Sequence, residues 1–149
     1  MGRVVIDDHL LRDVLVGRRS ADLDGLASDG LATTGLWLFR LCSSWADPTV
    51  SGKLSAPVAA MSPELQALFR ARLVALPDKI KVLSLREMAW PMAELRTRHR
   101  GEGRNLSAAM LEVLAAAHRF GAGIAVAALD VGPNLQDAAR ADGVDFHSL

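Results

Sequence analysis

Apolar and polar positions alternate along the chain in blocks that switch repeatedly between strand-like and helix-like spacing. Residues 3–6, "RVVI", form a short β-branched run bounded by charge, which predicts a buried strand. In residues 8–17, Leu10, Leu11, Val14 and Leu15 recur at helical spacing, and Gly17 is a natural stop. "RRSADLDGLASDG" reads as a polar loop and "LATT" as a short strand. "GLWLFRLCSSW" is an apolar helix, and "TVSGKLSAPVAAM" a loop-like segment expected to be mobile. Ser62-Pro63-Glu64 combines a cap, a proline at the first helical position and an acid in the first turn, so it predicts a helix running to about Ala75. Residues 80–85, "IKVLSL", predict a strand, and "REMAWPMAELRTRH" a helix that Pro91 should begin or kink. "NLSAAMLEVLAAAHRFG" is a further helix with Asn105 or Ser107 as cap and Gly121 as stop. Residues 123–129, "GIAVAAL", are apolar throughout, as strands covered on both faces are. A turn, a short helix "LQDAARAD" and a last strand "VDFHSL" close the chain.

Strands that alternate with helices predict a three-layer α/β/α sandwich on a mostly parallel central sheet. The 149 residues suit one domain, 1–149, with a substantial core. In such sheets ligands gather at the carboxyl ends of strands, where both Asp7 and Asp130 fall, directly after "VVI" and "AAL".

Composition narrows the function classes. Lys and Arg number 17, as do Asp and Glu, so nucleic-acid binding would need a local basic patch rather than a global charge. The lone cysteine, Cys42, has apolar neighbours and reads as a buried thiol in a reducing compartment. The opening apolar run is too short for a signal peptide, and no stretch approaches the roughly 20 residues of a membrane span; a soluble, cytoplasmic protein is expected. The four histidines show no metal-ligand spacing, and His118 sits where a helix C-terminus favours a cation. Trp37, Trp45 and Trp90 read as core or interface residues. The helix "LWLFRLCSSW" is apolar on nearly every face, which would suit a homodimer.

Adjacent acids such as Asp7 and Asp8 repel and need a cation or strong donors, so they mark either a metal site or a helix N-terminus. The stretch "VVIDDH" resembles the opening of a response-regulator receiver. That pattern needs a further acid at a later strand end; Asp47 follows no strand, and the lysine expected near the last strand is missing.

A second resemblance spans nearly the whole chain. "RVVIDDHLLRDVLVG", "LATTGLWLFRLCSSW", "LPDKIKVLSLREMAWPMAELRTRH", "LSAAMLEVLAAAHRFGAGIAVAALD" and "AARADGVDFHSL" follow the order of PIN-domain segments and resemble VapC-type toxin ribonucleases. The resemblance implies a cytoplasmic toxin–antitoxin protein with an antitoxin-type protein partner, and a site where three or four carboxylates hold Mg²⁺ or Mn²⁺ to cleave RNA. Asp7 and Asp130 match the first and fourth acids, as catalytic and metal-binding residues. The second acid should fall near Phe39 or Arg40 and the third near Met110, where no carboxylate stands. Asp8 or Glu112 would have to fill a gap, Glu112 only after a register shift, and Glu64 only if its helix lies at the sheet edge. An arginine at position 40 argues against a bound metal. The resemblance thus implies a ribonuclease with cleavage weakened or lost, or a silent module that binds RNA or a protein; the plain alternative is that Asp7 and Asp8 cap a helix and Asp130 starts a turn. Arg96, Arg98, Arg100 and Arg104, with Arg12, Arg18 and Arg19, are candidate phosphate contacts or a solvated helix end.

Overall fold

The computed structural model describes residues 2–47, 52–130 and 132–149. The side chain of Asp130 lies outside the described residues, as does the stretch 48–51 of the segment expected to be mobile.

Short strands form the middle layer, buried at its centre in β1 and β2 and partly exposed at its edges in β3 and β5. β1 (Val4–Ile6), β2 (Leu31–Thr33), β3 (Ile80–Val82), β4 (Gly123–Val126) and β5 (Phe146–Ser148) make one sheet in the order β3-β2-β1-β4-β5. Every pairing is parallel; Val4 lies opposite Leu31 on one side and Gly123 on the other. β1 is central, and the chain leaves it first toward β3 and later toward β5. The crevice between β1 and β4 is therefore the switch point of the sheet, where parallel folds place their ligands.

Successive strand residues feed opposite layers, because side chains alternate across a strand. Val5, Ala32, Ile124 and Val126 join α6 (Leu85–Gly101), α7 (Ala108–Phe120) and α8 (Pro133–Ala141). Val4, Ile6, Leu31, Ile80 and Ala125 join α1 (Asp8–Leu15), α2 (Ala21–Leu26), α4 (Ala56–Ala59) and α5 (Pro63–Val74). The helix α3 (Gly35–Ala46) serves both layers: Trp37 enters the first core and Leu41 the second. Its all-round apolar character is thus explained within one chain, leaving Phe39 exposed. Trp45 packs edge-on against Phe69, at 5.3 Å between ring centroids, whereas Trp90 is 71% exposed. Cys42 is half-buried beside the second core rather than fully buried, and burial pushes its thiol pKa up. Among the described residues no helix is long and apolar enough to cross a membrane.

Side-chain caps set most helix starts. Asp7, Ser20, Thr34, Ser62, Ser84 and Ser107 each accept a hydrogen bond from a backbone N–H three residues on. Gly121 closes α7 at φ 59°, a left-handed conformation that glycine adopts without strain. Five features differ from the sequence reading, among them α4, which forms inside the segment read as loop-like. The polar stretch after Gly17 contains α2, which Ser20 caps and Leu23 anchors in the core. The strand expected over 80–85 ends at Val82, because Ser84 and Glu87 form a reciprocal capping box. Pro91 neither begins nor ends α6, which continues through it. The strand expected to reach residue 129 stops at Val126; the N–H of Ala127 turns to the Asp7 carboxylate, and that of Ala128 to the carbonyl of Leu149.

Leu114 is fully buried in the α7 layer. Leu114→Ala should cost about 2–5 kcal/mol, a lost side chain plus a cavity. Urea unfolding should show a lower midpoint with an unchanged slope.

Candidate functional site at the carboxyl edge of the sheet

Asp7 follows β1 and caps α1. Its backbone N–H donates to Ala125 O (3.2 Å), extending the β1–β4 ladder by one step. Its Oδ1 accepts from Leu10 N (2.8 Å), and its Oδ2 from Ala127 N (2.9 Å). One carboxylate therefore joins the start of α1 to the end of β4. The side chain is buried, and burial pushes its pKa up from 3.8 to about 6. The two backbone donors pull the other way, while Asp8 adds repulsion.

Asp8 is not a helix cap but the first residue of α1, with no exposed surface. Its Oδ1 accepts from His9 N (3.0 Å) and lies 3.1 Å from His9 Nδ1. Its Oδ2 lies 3.2 Å from Nε of Arg40, an ion pair whose alignment falls short of a hydrogen bond. Arg40 comes from α3, and half of its side chain is exposed. A cavity of about 240 Å³ opens beside Asp7, lined by Trp37, Arg40, Ser107, Met110 and Gly132 among others. The two positions without an acid, Arg40 and Met110, thus meet Asp7 in one cavity. Asp130 ends a 3₁₀ turn, Ala128–Asp130, directly after β4. Because β1 and β4 are neighbours, its backbone shares this edge with Asp7.

Glu112 stays away from that cavity. It is buried, and its Oε2 accepts from Leu36 N (2.8 Å) at the start of α3, where a carboxylate suits the helix dipole. Gly35 makes room for it: a Cβ there would lie 3.3 Å from Oε1. Glu64 is exposed in the first turn of α5. Neither acid lines the Asp7 cavity.

The arginine cluster lies elsewhere. Asp142 follows α8 and precedes β5, so it marks the amino edge, opposite Asp7. Arg98 donates to its Oδ2 at 2.8 Å, and the Nε2 atoms of His99 and His118 lie 3.2 and 2.9 Å from the same oxygen. Burial opposes the charge on Asp142, but the hydrogen bonds from His118 and His99 and the nearby Arg98 outweigh it and hold its pKa below the usual range. Nε of Arg104 donates to Nδ1 of His99 (3.0 Å), which leaves the imidazole proton on Nε2, and Arg104 also pairs with Glu102. Arg96 and Arg100 are exposed on α6. On the other face, Arg12 bonds the carbonyls of Lys53 and Leu54. No sequence spacing pointed to the Asp142 network, because its members come from three separate helices and their ends.

No protein-family model matches this chain, and no curated protein does. Among solved structures, a chain of VapBC-1 from nontypeable Haemophilus influenzae matches it with a TM-score of 0.55 and 13% identity, covering 98% of this chain and 97% of that one. The likeness covers the whole architecture and shows the fold: a three-layer α/β/α sandwich on a parallel sheet, PIN-like in kind.

Such folds raise the question of a divalent cation. Ligand atoms of Asp7, Asp8 and His9 lie within 4.8 Å of one another, the closest grouping of this kind among the described residues. The set does not fit a hard dication well. Both Asp7 oxygens already take backbone donors, Asp8 faces a guanidinium, and the remaining named walls are indole, thioether, hydroxyl and glycine. Magnesium wants several oxygen ligands in near-octahedral order.

Two outcomes follow. Because the folded state raises the pKa of Asp7, its contribution to stability is fully present below pH 4 and is lost as pH rises through 6, by roughly 3 kcal/mol. Denaturant midpoints measured from pH 4 to 7.5 should show this loss, and Asp7→Asn should flatten it. At the other edge, Asp142→Ala should lower the thermal unfolding midpoint, because the buried His99 loses its carboxylate partner.

Proposed function

We propose that this chain is a PIN-like protein related to VapC-type toxin ribonucleases in which metal-dependent RNA cleavage has been lost, leaving a module that binds RNA. The observation that carries the reading is the composition of the Asp7 cavity: Arg40 and Met110 line it, at or close to the positions where the resemblance implies acids. Without a metal held by several carboxylates, no water is activated and the charge building on an attacked phosphate is not stabilised. Asp7 and Asp130 are then remnants of the catalytic and metal-binding set, and Asp8 and Glu112 do not replace the missing members. The fold likeness to a VapBC-1 chain supports the toxin-related ancestry.

Phosphate contacts need cations rather than metal. Arg96 and Arg100 are exposed on α6, while Arg98 and Arg104 are engaged by Asp142, Glu102 and His99. The first pair is therefore the better source of RNA contacts in that cluster. A second reading is favoured by exposed apolar side chains on neighbouring helices, Phe39 of α3 and Leu65, Leu68 and Val74 of α5. Exposed apolar side chains of this kind suit an antitoxin-type protein partner, or a second copy of the chain in a homodimer.

Single-stranded RNA incubated with the protein and Mn²⁺ should be cleaved only at the background rate. Metal-dependent cleavage that Asp7→Asn abolishes would restore the nuclease. RNA retention should weaken with salt, with log K falling by about 0.7 per phosphate contact per log unit. Arg96→Ala with Arg100→Ala should reduce that slope by roughly 1.4. Neither cleavage nor salt-sensitive binding would leave the protein-partner reading in place.

A further inference from the structure

We infer that Arg40 is the resident cation of the acid pair at the carboxyl edge, and that its guanidinium keeps divalent metal out of the Asp7–Asp8 site. The inference rests on the reading above that the unmodified chain does not use a metal, and it goes further by assigning the cause to one side chain.

The geometry supports this in three ways. Asp7 and Asp8 are adjacent and have 2% and 0% exposure, so two carboxylates are withdrawn from water within a few ångströms of each other. Such a pair is strongly destabilised unless positive charge or hydrogen bonds offset it. Asp7 is offset by two backbone donors from different elements. Asp8 Oδ2 has no hydrogen bond, and its charge is met by Arg40 Nε at 3.2 Å. That oxygen is the ligand atom a metal would find uncommitted by hydrogen bonds, and the guanidinium stands over it.

Arg40 is also placed to control access. It lines the Asp7 cavity together with Trp37 and Met110, and it lines the adjoining cleft of about 470 Å³ together with His9, Ser43 and Lys53. A dication approaching Asp8 from either cavity meets this positive charge. At any given distance the repulsion on a dication is twice that on a single positive charge. Replacing Arg40 by a carboxylate removes that repulsion and adds a hard oxygen donor on the same turn of α3.

The test titrates Mn²⁺ into the 149-residue chain and the variants R40E and R40Q, following free Mn²⁺ by electron paramagnetic resonance, with thermal unfolding of each variant as a control for folding. The unmodified chain should bind weakly. R40E should bind at least tenfold more tightly, R40Q should fall between, and Asp8→Asn in the R40E background should return binding to the starting level. If R40E does not fold, a gain in R40Q decides the same point. No gain in any folded variant overturns the role of Arg40 but leaves the absence of cleavage standing. Binding by the unmodified chain as tight as by R40E overturns it too, and the RNA cleavage assay then shows separately whether the chain is a nuclease.

Discussion

The carboxylate of Asp7 ties the start of α1 to the end of β4 at the carboxyl end of β1. It caps α1 through Leu10 N, accepts from Ala127 N, and sits on a residue whose own N–H continues the β1–β4 ladder. The two side-chain bonds span 3 and 120 residues. Each hydrogen bond to a charged group contributes about 1.5–3 kcal/mol, comparable to the burial penalty that pushes the pKa to about 6. The balance explains why β4 ends at Val126: continuing the strand would deprive the carboxylate of its second donor. The carboxyl edge of the sheet is thus shaped around an acid that serves structure whether or not it serves chemistry.

Among the described residues, three other acids are matched differently. Glu112 faces the N-terminus of α3, Asp8 faces a half-exposed guanidinium, and Asp142 receives an arginine and two imidazoles. These solutions use protein donors throughout. A nuclease site of the resembled kind would instead leave carboxylate oxygens uncommitted, so that a cation offsets their mutual repulsion.

Most of the architecture was legible in the residues. Buried β-branched runs, serine and aspartate caps and the glycine stop at Gly121 act locally, so their signals lie within a few positions. α2 escaped notice because a single leucine, Leu23, anchors it amid polar residues. The end of the third strand was misplaced although Ser84 and Glu87 carry the spacing of a capping box. The site was less legible. Adjacent acids signal a cap and a metal ligand equally well; the contact with Leu10 N shows that Asp7 is the cap, and only α3 packing brings Arg40 to Asp8. The arginines near the end of α6 looked like one patch because they are close in sequence. Alternate residues on a helix turn by roughly 200°, so Arg98 faces Asp142 while Arg96 and Arg100 remain in solvent.

The two edges of the sheet differ in how completely their charges are matched, and this bears on where a ligand can act. At the amino edge, one Asp142 oxygen gathers three donors, and the ring that supplies one of them is fixed by a fourth residue, Arg104. Several partners share this carboxylate, so a ligand entering here would compete with contacts already made. At the carboxyl edge, Arg40 meets Asp8 without hydrogen-bond alignment, half of its side chain faces solvent, and it borders two cavities. A guanidinium has five N–H donors, and the contact with Asp8 uses only the direction of Nε. Its remaining donors can engage an anionic group without first breaking a buried network. The switch-point edge is therefore the adaptable end of the molecule, and there the same residue that opposes a cation favours an anion.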